Sequence, residues 1–191
     1  RKKALVICPA SLKLMWKDEV EKFTHDKAHV FRYYPSKSSK EKNHSKEDSL
    51  FHVINYEGLS SFVKLEYKHA CEGMKMDPKT KSFRKCGTEI INLKKKMSSP
   101  CPSCAGTKFK SRTHGVQFFK TAEGELLDAD DYDLVIIDEF HRMKNPKTDW
   151  TQIIKRSLSV IPEKLLLSGT AIKSRPMELF TPLNFLDPKT W

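Results

Sequence analysis

A chain of 191 residues, with 38% hydrophobic and 31% charged side chains, can build one good core and a small appendage but not a string of domains. No apolar run is long enough to cross a bilayer. The opening Arg1-Lys2-Lys3-Ala4-Leu5-Val6-Ile7-Cys8-Pro9 meets proline too soon for a secretory leader, so an intracellular protein, or a piece of one, is expected. The net charge of +11 is uneven: residues 64–120 hold 14 Lys/Arg against 4 Asp/Glu, a balance of +10. A basic segment in a near-neutral chain suggests a polyanion, nucleic acid first, against the plainer reading of a solvated loop.

In chain order, Ala4–Cys8 reads as a buried strand stopped by Pro9, with Cys8 as a small core residue. Ser11 is placed to cap the helix that follows, and Leu12, Met15, Trp16, Val20 and Phe23 recur at helical spacing as its apolar face. His29–Tyr34 reads as a second strand, Pro35–Asp48 as an exposed polar stretch, and Leu50–Asn55 as a third strand. Tyr56-Glu57-Gly58-Leu59 opens a helix that carries Leu59, Phe62, Val63 and Leu65. These elements make residues 1–65 the first part of a parallel α/β domain.

Residues 66–120 read as a separate basic, cysteine-rich insertion. Pro100-Cys101-Pro102-Ser103-Cys104-Ala105-Gly106 is a Cys-x-x-Cys turn, which offers two thiolates to one tetrahedral ion. Arg84-Lys85-Cys86-Gly87 supplies a third sulfur, and Cys71 the fourth, with His69 as its substitute. Zinc on Cys71, Cys86, Cys101 and Cys104 is the expectation, against free thiols on a loop. A Lys-rich unit with so few large apolar residues could hardly fold without a metal. Lys94, Lys95, Lys96, Lys108, Lys110 and Arg112 are candidates to grip DNA phosphates.

Residues 121–191 return to the first pattern. After the polar linker Thr121–Asp131, Leu134-Val135-Ile136-Ile137 is an apolar, β-branched run, as in a strand buried on both faces. Asp138 and Glu139 follow at once, then Phe140 and His141. Ligands of open α/β sheets bind beyond the carboxyl ends of strands. Two acids there suit phosphoryl transfer, one holding Mg²⁺ and the other orienting the attacking water. Lys144-Asn145-Pro146 opens a helix through Trp150, Ile153, Ile154 and Leu158. Leu165–Leu167 is another buried strand, ending in the turn Ser168-Gly169-Thr170, and a last helical stretch carries Met177, Leu179, Phe180, Leu183 and Phe185.

Asp138-Glu139-Phe140-His141 resembles the Asp-Glu-Ala-His box of superfamily-2 helicases. Together with Leu5–Leu12, Trp16, Val53–Glu57 and Leu165–Ile172, in that order, it resembles the Swi/Snf-like double-stranded-DNA translocases. The resemblance implies a three-layer RecA-like lobe of the P-loop NTPase type, a parallel sheet with helices on both faces, here carrying a small zinc-binding insertion. It implies an ATP hydrolase, with Asp138 on Mg²⁺, Glu139 on the hydrolytic water, and His141 linking the acids to Ser168, Gly169 and Thr170, which couple hydrolysis to DNA. It casts Ser11, Lys13, Asn55, Tyr56, Lys144 and Asn145 as DNA neighbours, with Lys94, Lys95 and Lys96 added by the insertion. Tyr56 and Trp16 also read as ordinary packing residues.

The same resemblance implies a phosphate-binding loop before Ala4 and a second RecA-like lobe with arginine fingers. Neither is among the 191 residues, so part of one lobe, inactive alone, is expected. Its location would be the nucleus, or the cytoplasm and nucleoid of a prokaryote or phage-infected host. The alternatives are a non-catalytic zinc-containing DNA-binding module, and the motor subunit of a restriction or repair complex with other subunits.

Overall fold

The computed structural model describes residues 2–31, 45–120, 127–170 and 175–191. Its strands are β1 (Ala4–Cys8), β2 (Ala28–Val30), β3 (Phe51–Asn55), β4 (Val63–Cys71), β5 (Met74–Met76), β6 (Phe83–Lys85), β7 (Glu89–Asn92), β8 (Phe109–Phe118), β9 (Leu134–Asp138) and β10 (Glu163–Leu167). The α-helices are α1 (Lys13–Thr24), α2 (Leu59–Phe62), α3 (Asp149–Ser157) and α4 (Phe180–Leu186). The chain divides into two compact units, Arg1–Val63 with Phe118–Trp191, and Lys64–Gln117.

The first unit is built on a five-stranded sheet in the order β10-β9-β1-β3-β2, with every pairing parallel. The β-branched runs explain the central strands, because such side chains fill a pleated surface buried on both sides. Val6, Cys8, Val30, Val53 and Ile136 form one cluster, against which Leu12 and Trp16 pack. By strand alternation Leu5, Ile7, Ile54, Val135 and Ile137 take the opposite face, and all are 0% exposed. Each such side chain contributes roughly 1.5–3 kcal/mol. Burial also pushes the Cys8 thiol up to about 12, as suits a core residue.

Several local expectations change. The buried stripe of α1 is narrower than expected: Met15 and Phe23 are 50% and 68% exposed. Ser11 caps nothing, since Ala10–Leu12 forms a 3-10 turn and Leu12 takes the cap position without a side-chain bond. The helix expected after Tyr56 lasts only Leu59–Phe62. From Val63 the pattern has period two, with Val63, Leu65, Tyr67, His69 and Cys71 alternating against more exposed neighbours, so the chain becomes β4. Phe140–Lys144 is a 3-10 turn and α3 starts at Asp149, beyond Pro146. Residues 32–34 of the expected second strand, 35–44 of the polar stretch, 121–126 of the linker and 171–174 lie outside the described residues.

In the second unit β7, β4 and β8 form one sheet in that order, and β5 and β6 form a separate antiparallel hairpin. Leu65, Tyr67, Cys71 and Cys101 are its buried apolar residues among those described, while Met74, Met76, Phe83, Ile91 and Leu93 are exposed.

The first unit also buries a histidine completely. His52 lies with Nε2 3.0 Å from the Lys46 carbonyl and 3.2 Å from that of Ser49, and with Nδ1 2.7 Å from the Tyr132 hydroxyl. Two carbonyls require Nε2 to carry the proton, so Tyr132 donates to Nδ1. Burial lowers the pKa of His52 from 6.5 to about 4. The unfolded chain therefore binds a proton that the folded chain refuses. Stability from this group is complete above pH 6.5 and is lost as pH falls toward 4, by about 3 kcal/mol in all. Thermal midpoints measured at fixed ionic strength should drop across that window, and the drop should flatten in His52→Asn. A parental profile as flat as that of the variant would contradict the assignment.

Candidate functional site: the carboxyl edge of the parallel sheet and a four-cysteine cluster

Register aligns the ends of the strands. Cys8 lies opposite Asn55, Ile7 opposite both Ile54 and Ile137, and Leu167 opposite Asp138. Because all are parallel, the segments leaving β1, β3, β9 and β10 emerge along one edge. That edge gathers Ser11 and Lys13, Asn55 and Tyr56, Asp138, Glu139 and His141, and Ser168, Gly169 and Thr170. Lys94, Lys95 and Lys96 belong to the other unit.

Glu139 is the conformational centre of this edge. Its backbone is left-handed, φ 51 and ψ 48, a region that non-glycine residues enter at a cost. Three side chains converge there. The Ser168 hydroxyl donates to Glu139 Oε2 at 3.0 Å, and His141 Nδ1 lies 3.0 Å from the same oxygen. A carboxylate only accepts, so His141 carries its proton on Nδ1. Nδ1 is also 3.2 Å from Ser168 Oγ, which accepts the Thr170 N–H at 3.1 Å. The turn after β10 is thus tied to the acid after β9 through hydroxyl and imidazole.

Asp138 is fixed from two sides. Its Oδ1 accepts the Glu139 N–H at 2.8 Å, and its Oδ2 accepts the Trp16 indole N–H at 2.9 Å. Each oxygen keeps a lone-pair direction for a further partner. The Tyr56 hydroxyl donates to the Asp138 carbonyl at 2.7 Å, and burial raises its pKa well above the usual range. Arg142 lies 5.3 Å from the Tyr56 ring centroid and donates to Glu57 at 3.2 Å, while Asn55 donates to Glu57 at 2.9 Å. Of the expected DNA neighbours, Asn55 and Tyr56 are each 1% exposed, whereas Ser11, Lys144 and Asn145 are exposed. Lys13 Nζ lies 3.4 Å from the Phe31 carbonyl, and Lys144 pairs with Glu178.

Trp16, Glu57 and Arg142 were not legible as site residues. Helical spacing marks Trp16 as a packing residue and is silent about its N–H. Glu57 and Arg142 meet across 85 positions of sequence.

In the second unit Cys71, Cys86, Cys101 and Cys104 place their sulfurs within 4.8 Å of one another. None is in a disulfide. Cys71 and Cys104 are 3.5 Å apart, and Cys86 and Cys101 3.7 Å. A tetrahedral zinc with bonds of about 2.3 Å sets its sulfurs about 3.8 Å apart, so the set fits that ion. Backbone N–H groups of Gly73 and Gly106 point at Cys71 and Cys104 sulfurs at 3.3 and 3.4 Å. A Cβ on Gly73 would stand 2.9 Å from Cys104 Sγ, and one on Gly106 3.2 Å. The bare glycines let the two loops close on the sulfurs. His69, the alternative fourth ligand, is turned elsewhere, to Ser111 and Asn92.

An SNF2-related domain model matches residues 1–191. A Drosophila melanogaster SWI/SNF-related matrix-associated actin-dependent regulator of chromatin subfamily A-like protein 1 is 43% identical over 58 residues, 30% of this chain and 8% of that protein. The Aspergillus fumigatus TATA-binding protein-associated factor mot1 is 38% identical over 66 residues, 35% of this chain and 3% of that one. The Drosophila melanogaster ATP-dependent helicase brm is 44% identical over 54 residues, 28% of this chain and 3% of its own length. A solved structure, the Sulfolobus solfataricus SWI2/SNF2 ATPase core in complex with dsDNA, aligns over 98% of this chain and 25% of its own, at 20% identity and TM-score 0.48. The matched stretch is therefore a small part of each relative. With a parallel sheet that presents Asp138 and Glu139 at its carboxyl edge and a family match over its whole length, this chain belongs to the SNF2-related domain family.

Proposed function

We propose that this chain is part of the RecA-like lobe of an ATP-driven double-stranded-DNA translocase, working with a second RecA-like lobe and other subunits of a DNA-processing complex. The observation that carries it is the left-handed Glu139, its carboxylate held by Ser168 and His141 beside Asp138. A fixed carboxylate at a strand end can orient a water for in-line attack, and a second one beside it can hold a cation. Magnesium bound at Asp138 would neutralise charge developing on the transferred phosphate. Glu139 accepts a hydrogen bond from the attacking water, and Ser168 and His141 keep its carboxylate aimed. Trp16 and Tyr56 are positioning residues, one on the Asp138 carboxylate and one on its carbonyl. The turn at Ser168, Gly169 and Thr170 relays DNA engagement to Glu139. Ser11, Lys13 and Asn145 are proposed phosphate neighbours, with Asn55 and Tyr56 acting from beneath them and Lys144 after release from Glu178. In a eukaryote the site of action would be the nucleus.

The insertion is proposed to be a zinc unit. Its described core holds two large apolar side chains and two cysteines, too little for a segment of this size to order without a staple. Zinc on the four thiolates would supply it.

In the full-length protein, Glu139→Gln should lower DNA-stimulated ATP hydrolysis by roughly 10²–10⁴-fold with ATP affinity retained, measured by phosphate release and nucleotide binding. Hydrolysis that survives the substitution removes Glu139 from the chemistry. Trp16→Phe and Tyr56→Phe should lower kcat with little change in KM for ATP. A change in KM alone would make them packing residues. Elemental analysis should find about one zinc per chain, lost in the Cys101→Ser, Cys104→Ser double variant, and a folded, metal-free parent would refute the zinc unit.

A further inference from the structure

The second unit carries a groove that the motor reading leaves unused. It has a volume of ≈ 430 Å³ and is lined by Lys95, Lys96, Met97, Thr107, Phe109 and Ser111, within the range of small-ligand sites. Its wall is organised from behind by His69, which is 0% exposed. His69 Nε2 lies 3.1 Å from Asn92 Oδ1, which also accepts the Lys94 N–H at 2.8 Å. The Asn92 amide group donates to Met97 Sδ at 3.2 Å. Those bonds fix the carboxamide with its oxygen toward the ring, so Nε2 of His69 donates to it. Nδ1 lies 2.7 Å from the Ser111 hydroxyl, which it holds in place. Ser111 Oγ, anchored on His69, keeps a lone pair for the groove.

The lining is thus two ammonium groups, an aromatic ring, a thioether, a hydroxyl and a fixed acceptor. Alternation along β8 sets Phe109 and Ser111 on one face and Lys110 and Arg112 on the other, so the groove's cations are the Lys95 and Lys96 side of the insertion. A phosphate alone would use the lysines and leave the ring and the acceptor idle. A duplex keeps its base faces stacked and its amino groups paired. An unpaired nucleotide uses every group: phosphate on the lysines, base plane on Phe109, exocyclic amine toward Ser111.

We propose that this groove is a binding site for an unpaired nucleotide within a single nucleic-acid strand, with Phe109 as the stacking surface and Lys95 and Lys96 on the flanking phosphates. The site stands apart from the ATPase reading and does not depend on it. The test uses the whole zinc-loaded chain without ATP and reads fluorescence anisotropy with a labelled single-stranded 12-mer, its duplex and free AMP as probes. The single strand should bind far tighter than AMP, and the share of affinity that Phe109 supplies should be absent from duplex binding, which the sheet edge also supports. Phe109→Ala should weaken strand binding by roughly 5- to 150-fold, the range of one base–aromatic stack. Phe109→Leu, which keeps the apolar volume, should lose most of the same affinity while zinc content and the melting profile stay parental. Lys95→Gln with Lys96→Gln should lower affinity and reduce the slope of log K against log salt by about 1.4 for two lost single-strand phosphate contacts. Parental strand affinity in folded Phe109→Leu, or equal losses of strand and duplex affinity in it, would overturn the proposal in favour of a phosphate grip. AMP binding as tight as the strand would make it a free-nucleotide site, and would overturn it too.

Discussion

The organising constraint is that every strand of the five-stranded sheet runs the same way. Parallel strands must be joined by crossovers, so their carboxyl ends gather on one edge while the connections return elsewhere. Residues as distant as Trp16, Tyr56, Asp138 and Ser168 become neighbours for that reason alone. None of them is close to another in sequence, and no local propensity would bring them together. The edge is also where main-chain groups outrun their ladder partners. The Tyr56 hydroxyl on the Asp138 carbonyl and the Ser168 hydroxyl under the Thr170 N–H fill that role with side chains.

Within that edge, strain and anchorage balance. A left-handed glutamate costs on the order of 1 kcal/mol or more. Charge-assisted bonds from Ser168 and His141 are each worth a comparable amount. The conformation persists because the turn after β10 holds it. If that turn moves, Glu139 loses both what aims its carboxylate and what offsets its backbone strain. A shift of Ser168 by an ångström or so would then be enough to turn the carboxylate away from the direction in which it is held. The same bonds that place the carboxylate make it responsive.

The fold was largely legible because its signals are long and redundant. Leu5–Cys8, Val53–Asn55 and Leu134–Ile137 are apolar runs of strand length bounded by punctuation, and Asp138-Glu139 follows the third of them directly. Half of the cysteine cluster was legible from spacing, since Cys101-x-x-Cys104 offers two thiolates to one ion, whereas Cys71 and Cys86 stand isolated in sequence and only the fold brings them to that pair. Local continuations were harder. Leu59 to Leu65 fits both a helix face and an alternating strand over so few residues, and only the longer run to Cys71 decides for β4. Ser11 has the chemistry of a cap, but Pro9 and the 3-10 turn after it shift the helix start to Lys13. The polar web around Asp138 was least legible. An indole N–H or a phenol hydroxyl is an accessory to an apolar side chain, and its partner depends on register rather than on pattern.

The two units solve the problem of order in opposite ways, and this bears on how charge is distributed. The first buries β-branched strands on both faces, can stand on apolar burial, and is near neutral overall. The second exposes Met74, Met76, Phe83, Ile91 and Leu93 and concentrates the cations. Repulsion among lysines works against a compact state, and a weak apolar core cannot absorb much of it. Four sulfurs within 4.8 Å could change that balance, because the proposed zinc would add no bulk and would tie together β4, the segment after β6 and the Cys101–Cys104 turn. On the proposed zinc reading, such an ion would permit a surface as basic as this one. A basic surface made of isolated lysines would ride on mobile chain, whereas here Lys94, Asn92 and Met97 are linked through His69 to the sheet. Order at the sulfurs and order at the groove are then two ends of one short antiparallel framework, which places cations in register with an aromatic ring.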